Sequence, residues 1–159
     1  GDMRGGKYSN FEAGTRVPFI VSWPAKVNPG ISEALVSHID LFASMAGLIE
    51  KDIKDGVATD SRNQLNTLLG QDKKGRDYII QVAQSISISD GEWKYIAPCN
   101  RTPYYEITRT ETGNSTEEQL YNLRKDIGEK HNVASEHPQK TKALRELLEA
   151  EKEKGFMLK

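Results

Sequence analysis

Few residues in this chain could act on a charged substrate, and they are widely spaced. Lys7 follows Gly5-Gly6 and precedes Glu12-x-Gly14-x-Arg16-Val17-Pro18. Its ammonium is a compact point charge on a flexible stem, suited to neutralising negative charge on a bound anion. Glu12 and Arg16 are placed to pair and fix that segment. His38, His131 and His137 have no His-x-x-x-His spacing, and no Cys-x-x-Cys is present. Each histidine therefore reads as a surface or packing residue rather than a metal ligand. A hard dication such as calcium takes about 6–8 oxygen ligands, yet the sequence contains no Asp-Asp or Asp-Asn-Gly cluster. Trp93, Tyr95, Tyr104 and Tyr105 form a candidate aromatic edge for a sugar ring. Alternating aromatics on a hairpin usually serve the core and cross-strand pairs, which leaves Tyr104 and Tyr105, in a turn-rich stretch, as the better ligand contacts.

The elements that must position these groups are legible in outline. Val17 to Trp23, bounded by Pro18 and Pro24, reads as a short buried strand. Ser37 to Ile49 reads as a helix with Ile39, Phe42, Ala43, Ala46 and Ile49 on one face, and with Ser37 and Asp40 capping its start. Lys51 to Asp60 is polar and reads as a loop, followed by a short helix over Arg62 to Leu69 that ends at Gly70. Tyr78 to Val82 is a strand candidate. Ile86 to Ser89 and Glu92 to Ile96 flank Asp90-Gly91, a two-residue hairpin signal. Thr108 to Glu118 reads as a loop, and Gln119 to Leu123 as a further strand. A closing helix takes its cap from Ser135 or Glu136, tolerates Pro138 in its first turn, carries Leu144, Leu147 and Leu148 as its apolar stripe, and ends at Gly155.

Composition narrows the class without naming it. The 159 residues suit one domain or a domain with an appendage. With 22 basic and 23 acidic side chains, nothing electrostatic argues for nucleic acid or an anionic membrane. No apolar run approaches the roughly 20 residues needed to cross a bilayer, and the first residues carry no signal-peptide core. A lone Cys99 cannot form an internal disulfide and says little about redox compartment. Asn100-Arg101-Thr102 and Asn114-Ser115-Thr116 match the glycosylation acceptor pattern, which chance produces often.

The segment from Gly5 to Pro24, with its Gly-Lys, Glu-x-Gly, Arg-Val-Pro and Trp-Pro, resembles a signature of the arylsulfatases. Ala13 stands where the first glycine of Glu-Gly-Gly is usual. The resemblance continues through Ser37-His38-Ile39-Asp40-Leu41, Asp60-Ser61-x-Asn63 with Leu68-Leu69-Gly70, Asp90-Gly91-Glu92-Trp93-Lys94-Tyr95, and Leu120-Tyr121-Asn122-Leu123-Arg124-Lys125-Asp126-x-Gly128-Glu129-x-x-Asn132. Ile127 replaces a proline common in the last of these, and Ser89 an arginine, so any role of that arginine is absent. The resemblance implies that Lys7 is the sulfate-binding lysine, and it reverses the presumption that an exposed lysine is merely solvated. The formylglycine precursor Cys/Ser-x-Pro-x-Arg and the calcium ligands of the family do not occur here; Cys99 and Ser22 begin no such motif.

The expected fold is α+β: a small antiparallel β-sheet with a packed C-terminal helix, preceded by a strand and helix from the end of an alkaline-phosphatase-like α/β domain. The expected boundary puts residues 1–72 at the end of the catalytic domain and 73–159 in the sheet subdomain. The implied function is a C-terminal part of a sulfuric ester hydrolase of arylsulfatase type. Ca2+ and formylglycine would reside in the parent enzyme, whose substrate would be a sulfated sugar or aryl sulfate. The missing N-terminal catalytic domain would be its partner, periplasmic or secreted its location, and a dimer a possible state of the fragment. The alternative is a non-catalytic, sulfatase-derived binding or assembly module. The presence of a Cys/Ser-x-Pro-x-Arg segment upstream distinguishes the two.

Overall fold

A computed structural model describes residues 1–154 of the chain. The contacts divide it into two compact units, one made of Gly1–Pro18 together with the chain from Ile80 onward, the other of Phe19–Ile79. The first unit thus joins the two ends of the sequence, so the segment carrying Lys7 lies with the sheet.

That sheet contains β1 (Ile79–Val82), β2 (Ile86–Ser89), β3 (Trp93–Ile96) and β6 (Gln119–Asn122), in the order β1-β2-β3-β6. β2 and β6 both run antiparallel to β3, with Ile88 opposite Tyr95 and Tyr95 opposite Leu120. Because side chains alternate between faces, Ile88, Tyr95 and Leu120 share one face, and Ser87, Lys94, Ile96, Gln119 and Tyr121 share the other. The helix α4 (Pro138–Glu153) packs against β2 and β3 and buries Leu144 and Leu148, with Leu147 half-buried. Residues of the N-terminal segment cover the opposite face, where Phe11, Ile96, Tyr121 and Leu123 form a closed cluster with Ile127 against it. The Phe11 and Tyr121 rings meet edge-on at 6.0 Å.

Several expectations shift in this unit. The β2–β3 connection centres on Gly91-Glu92 rather than on Asp90-Gly91: the Asp90 N–H donates to the Trp93 carbonyl, and Gly91 takes φ 90°. Asp90 instead uses its carboxylate, which accepts the Glu92 and Trp93 N–H groups at 3.0 and 2.7 Å. The stretch read as a loop over Thr108 to Glu118 contains β5 (Thr110–Glu111), paired antiparallel with β4 (Tyr104–Tyr105). Neither Ser135 nor Glu136 caps α4; His137 occupies that position without a side-chain bond, and Pro138 is the first helical residue. The expected stop at Gly155 lies outside the described residues.

The second unit is built on α2 (Asp40–Leu48) and α3 (Leu65–Leu68), with Gly70 closing α3 at φ 74°. Here the apolar reading needs two corrections. Val17 to Trp23 is not a buried strand: it forms no ladder, and Val17 is 69% and Ile20 87% exposed. The buried residues of α2 are Asp40, Ala43 and Ser44, whereas Phe42 and Ile49 are exposed. Polar bonds select that inner face. The Ser44 hydroxyl donates to Asp40 O and accepts from Gln64 N–H, and Ser61 Oγ takes the Ala43 N–H while donating to Ile39 O. Phe19 to Trp23 and Leu41, Met45 and Leu48 instead line an apolar cavity of about 320 Å³.

Neither Ser37 nor Asp40 caps α2: Ile39 holds that position without a side-chain bond, and Asp40 is the first helical residue. Its carboxylate accepts the Ser37 and Arg62 N–H groups at 3.1 and 2.9 Å, and Arg76 grips both of its oxygens, Nε at 2.7 Å. Burial acts to raise the Asp40 pKa, but Arg76 and the two backbone donors outweigh it and hold the group below the usual carboxylate range. Arg76 is in turn placed by Gly75, at φ 68° beside the Leu35 backbone, where Leu35 and Gly75 form an isolated parallel bridge.

Candidate functional site

Lys7 is exposed on a tight turn, and the turn is rigid because of what lies beneath it. The Ser9 N–H donates to Gly6 O, the Ala13 N–H to Arg4 O and the Gly14 N–H to Phe11 O, while Ser9 Oγ accepts from Phe11 N–H. Gly14 lies so close to the Ser9 and Gly6 carbonyl oxygens that a Cβ there would collide with both. Gly5, at φ 83°, would collide with Ser9 in the same way. Ala13, on the short helix α1 (Glu12–Thr15), is half-buried.

Buried Asn10 fastens the loop to the sheet: its N–H donates to Thr112 O and its Nδ2 to Ser85 Oγ, at 2.9 and 2.7 Å. Arg4 spans further, with Nε and Nη2 on the Glu111 carboxylate, Nη1 on Glu129 O, and its guanidinium 4.2 Å from the Phe11 ring centre.

Beneath α1 lies a buried charge cluster. Lys94, fully buried on β3, places Nζ 2.9 Å from Glu12 Oε1 and 3.4 Å from Glu129 Oε1. Glu129 Oε2 accepts the Glu12 N–H at 2.6 Å, and Arg16 closes on Glu12 Oε2 at 2.7 Å, so the expected Glu12–Arg16 pair is present. Glu129 Oε1 receives no hydrogen bond; its approach to Lys94 is a charge contact only. Two carboxylates share one buried ammonium, and they differ in consequence. Burial pushes Glu129 up to about 7, with Lys94 and the Glu12 N–H pulling against it. Burial also acts on Glu12, but Lys94 and Arg16 together hold it below the usual range.

Tyr8 follows Lys7 in the left-handed region, φ 75°, where a non-glycine residue is strained. Its ring lies 5.0 Å from Lys7 Nζ and borders a cleft of about 320 Å³ lined also by Ser9, Thr15, Gln84 and Tyr105. Of the two expected tyrosines, Tyr105 lines this cleft, whereas Tyr104 is not among its lining residues. Sequence reading passed over Tyr8 and Gln84. No local signal in the sequence set either of them apart. Lys94 and Glu129 appeared only as letters of motifs, because their partnership spans the sheet.

Three negative findings bound the chemistry. Among the described residues no group of three or more His, Cys, Asp or Glu could hold a metal, so they offer calcium no fitting carboxylate set. No described helix is long and apolar enough to cross a membrane. Asn114 of the second sequon is buried and donates to Gln84 Oε1 and Thr102 O, so the fold leaves its amide no room for a glycan.

Residues 1–51 match the sulfatase family model. A solved structure, described with the metabolism of multiple glycosaminoglycans by Bacteroides thetaiotaomicron, superposes with TM-score 0.90 at 48% identity over 94% of this chain and 32% of that one. The chain belongs to the sulfatase family and represents a C-terminal part of its architecture. Among curated proteins it is 49% identical to an N-acetylgalactosamine-6-O-sulfatase of B. thetaiotaomicron over 96% of this chain and 30% of that protein. It is 27% identical to human arylsulfatase A over 92% of this chain and 32% of that protein. The chain thus spans about a third of the length of these relatives.

Proposed function

We propose that this chain is the C-terminal part of an enzyme that hydrolyses sulfate esters, that Lys7 binds the sulfuryl group, and that the substrate is a 6-sulfated N-acetylgalactosamine unit. The carrying observation is the rigid Lys7 turn, built on glycines that admit no side chain, in a chain 49% identical to a sulfatase of that specificity. The Lys7 ammonium would lie against the sulfuryl oxygens and offset charge as the ester bond breaks. Gly5, Gly14 and Asn10 hold it there, and the Lys94 cluster supports the floor. In the parent enzyme, formylglycine would supply the nucleophile and calcium further charge stabilisation. Both belong to residues outside this sequence, and residues 1–72 would close the domain that bears them. A periplasmic or secreted location accords with the same reading.

The test is Lys7→Ala in the sulfatase that carries this chain. The expected result is a fall in kcat of roughly 10²–10³, as for deletion of one preorganised charge-stabilising donor. A near-normal rate would remove Lys7 from the site. The chain alone, without a nucleophile, should release no sulfate from a model aryl sulfate, and calcium-dependent turnover by it would contradict the assignment.

A further inference from the structure

We infer that the cleft bounded by Tyr8 and Tyr105 seats the acetamido sugar ring whose sulfate reaches Lys7, with the Gln84 amide donating to the acyl oxygen. The inference rests on the sulfatase reading and adds to it the residues that select the sugar.

Three features point to such a ligand. The first is size and position: the cleft, about 320 Å³, is at the small end of ligand sites, roughly 300–1,000 Å³, and Tyr8 joins it directly to Lys7. The second is chemistry. Two phenol rings offer faces to the C–H side of a pyranose and hydroxyls to its edge, and no carboxylate or ammonium is among the lining residues, which suits a neutral ring. The third is an unspent donor. Gln84 Oε1 is occupied by the Asn114 Nδ2 donor at 2.8 Å. This orients the amide and leaves Nε2 with no protein acceptor among the described residues, so it is free for a carbonyl oxygen. Tyr8 takes a left-handed backbone, and its ring lies 5.0 Å from Lys7 Nζ while bordering the cleft.

The experiment is an NMR titration of the sulfatase that carries this chain, its nucleophile precursor replaced by alanine so that nothing turns over, with four probes: N-acetylgalactosamine 6-sulfate, galactose 6-sulfate, N-acetylgalactosamine and sodium sulfate. The acetylated sulfate should bind most tightly and shift the Tyr8, Gln84 and Tyr105 signals. Gln84→Glu keeps the acceptor for Asn114 and removes the donor. The added charge weakens both sulfated sugars, so the lost donor is read as a further loss of about three- to tenfold for the acetylated sulfate over that for galactose 6-sulfate. Tyr105→Ala should weaken both sugars about tenfold and spare sodium sulfate. Equal loss of both sugars in Gln84→Glu, or retained sugar affinity in Tyr105→Ala, overturns the inference, as does the absence of any sugar-dependent shift at these residues. Failure of the sulfatase reading looks different: unsulfated N-acetylgalactosamine would bind as well as its 6-sulfate, and Lys7→Ala would change neither.

Discussion

Glu129→Gln should flatten the pH dependence of stability between pH 5 and 8 and leave the protein more stable than wild type at the upper end. The carboxyl is raised from 4.5 to about 7 because burial outweighs the pull of Lys94. Between those values the folded state binds a proton that the unfolded chain has released. Stability therefore falls as pH rises through that window, and the loss is complete once pH exceeds the folded value. At 1.36 kcal/mol per unit, the displacement corresponds to about 3 kcal/mol. Glutamine keeps an oxygen for the Glu12 N–H and leaves Lys94 to Glu12, 2.9 Å away, so it removes the charge without orphaning the ammonium. Glu12 acts in the opposite sense: its pKa is held low, so its contribution is lost only on acidification below the ordinary carboxylate range. Urea unfolding followed by circular dichroism at half-unit steps from pH 5 to 8.5 reads the slope. A wild-type profile that is level or rising across this range, or a variant less stable than wild type at pH 8, would refute the argument.

Other substitutions probe other joints of the molecule. Gly14→Ala, forced into two carbonyl oxygens, should cost about 1–3 kcal/mol and raise hydrogen exchange over residues 5–14, whereas Ala13→Gly should cost far less. Asp40→Ala leaves the buried Arg76 guanidinium without its partner and should destabilise by roughly 3–5 kcal/mol, measured by thermal melting. Exposed Phe19, Ile20 and Trp23, which join no sheet, should drive self-association of the isolated chain. Sedimentation showing a monomer at high concentration, with amides 17–23 strongly protected, would contradict that expectation.

Local pattern carried much of this fold, because strands and caps are short-range devices. Ile86–Ser89, Trp93–Ile96 and Gln119–Asn122 announced themselves through alternation and flanking turns, and Gly70 through its place after Leu68-Leu69. The failures share a cause. On α2 the apolar spacing marks Phe42 and Ile49 as residues that favour cover, but the face that is buried was chosen by Ser44, Ser61 and Arg76, whose bonds cross up to 36 positions. The same holds at the site. The segment carrying Lys7 was marked by its motif, and the Glu12–Arg16 pair by its spacing. Lys94, in contrast, was only a letter of a motif until the sheet placed it under α1, and Gln84 gains a partner only where Asn114 donates to its amide oxygen.

The backbone bond from Glu12 to the Glu129 carboxylate closes a loop of 117 positions. A ribosome adding about 5–20 residues per second would take roughly 6–23 s to make the second partner after the first. Throughout that interval Lys7 is already outside or in the exit tunnel, on a segment with no sheet to rest on, so its turn is among the last parts of the molecule to acquire shape. Contacts this distant in sequence also slow folding in general. A chaperone or protease meeting the nascent chain would therefore encounter the Lys7 turn before its floor exists, and premature termination anywhere before Glu129 would release a product whose motif is present in letters but absent in space.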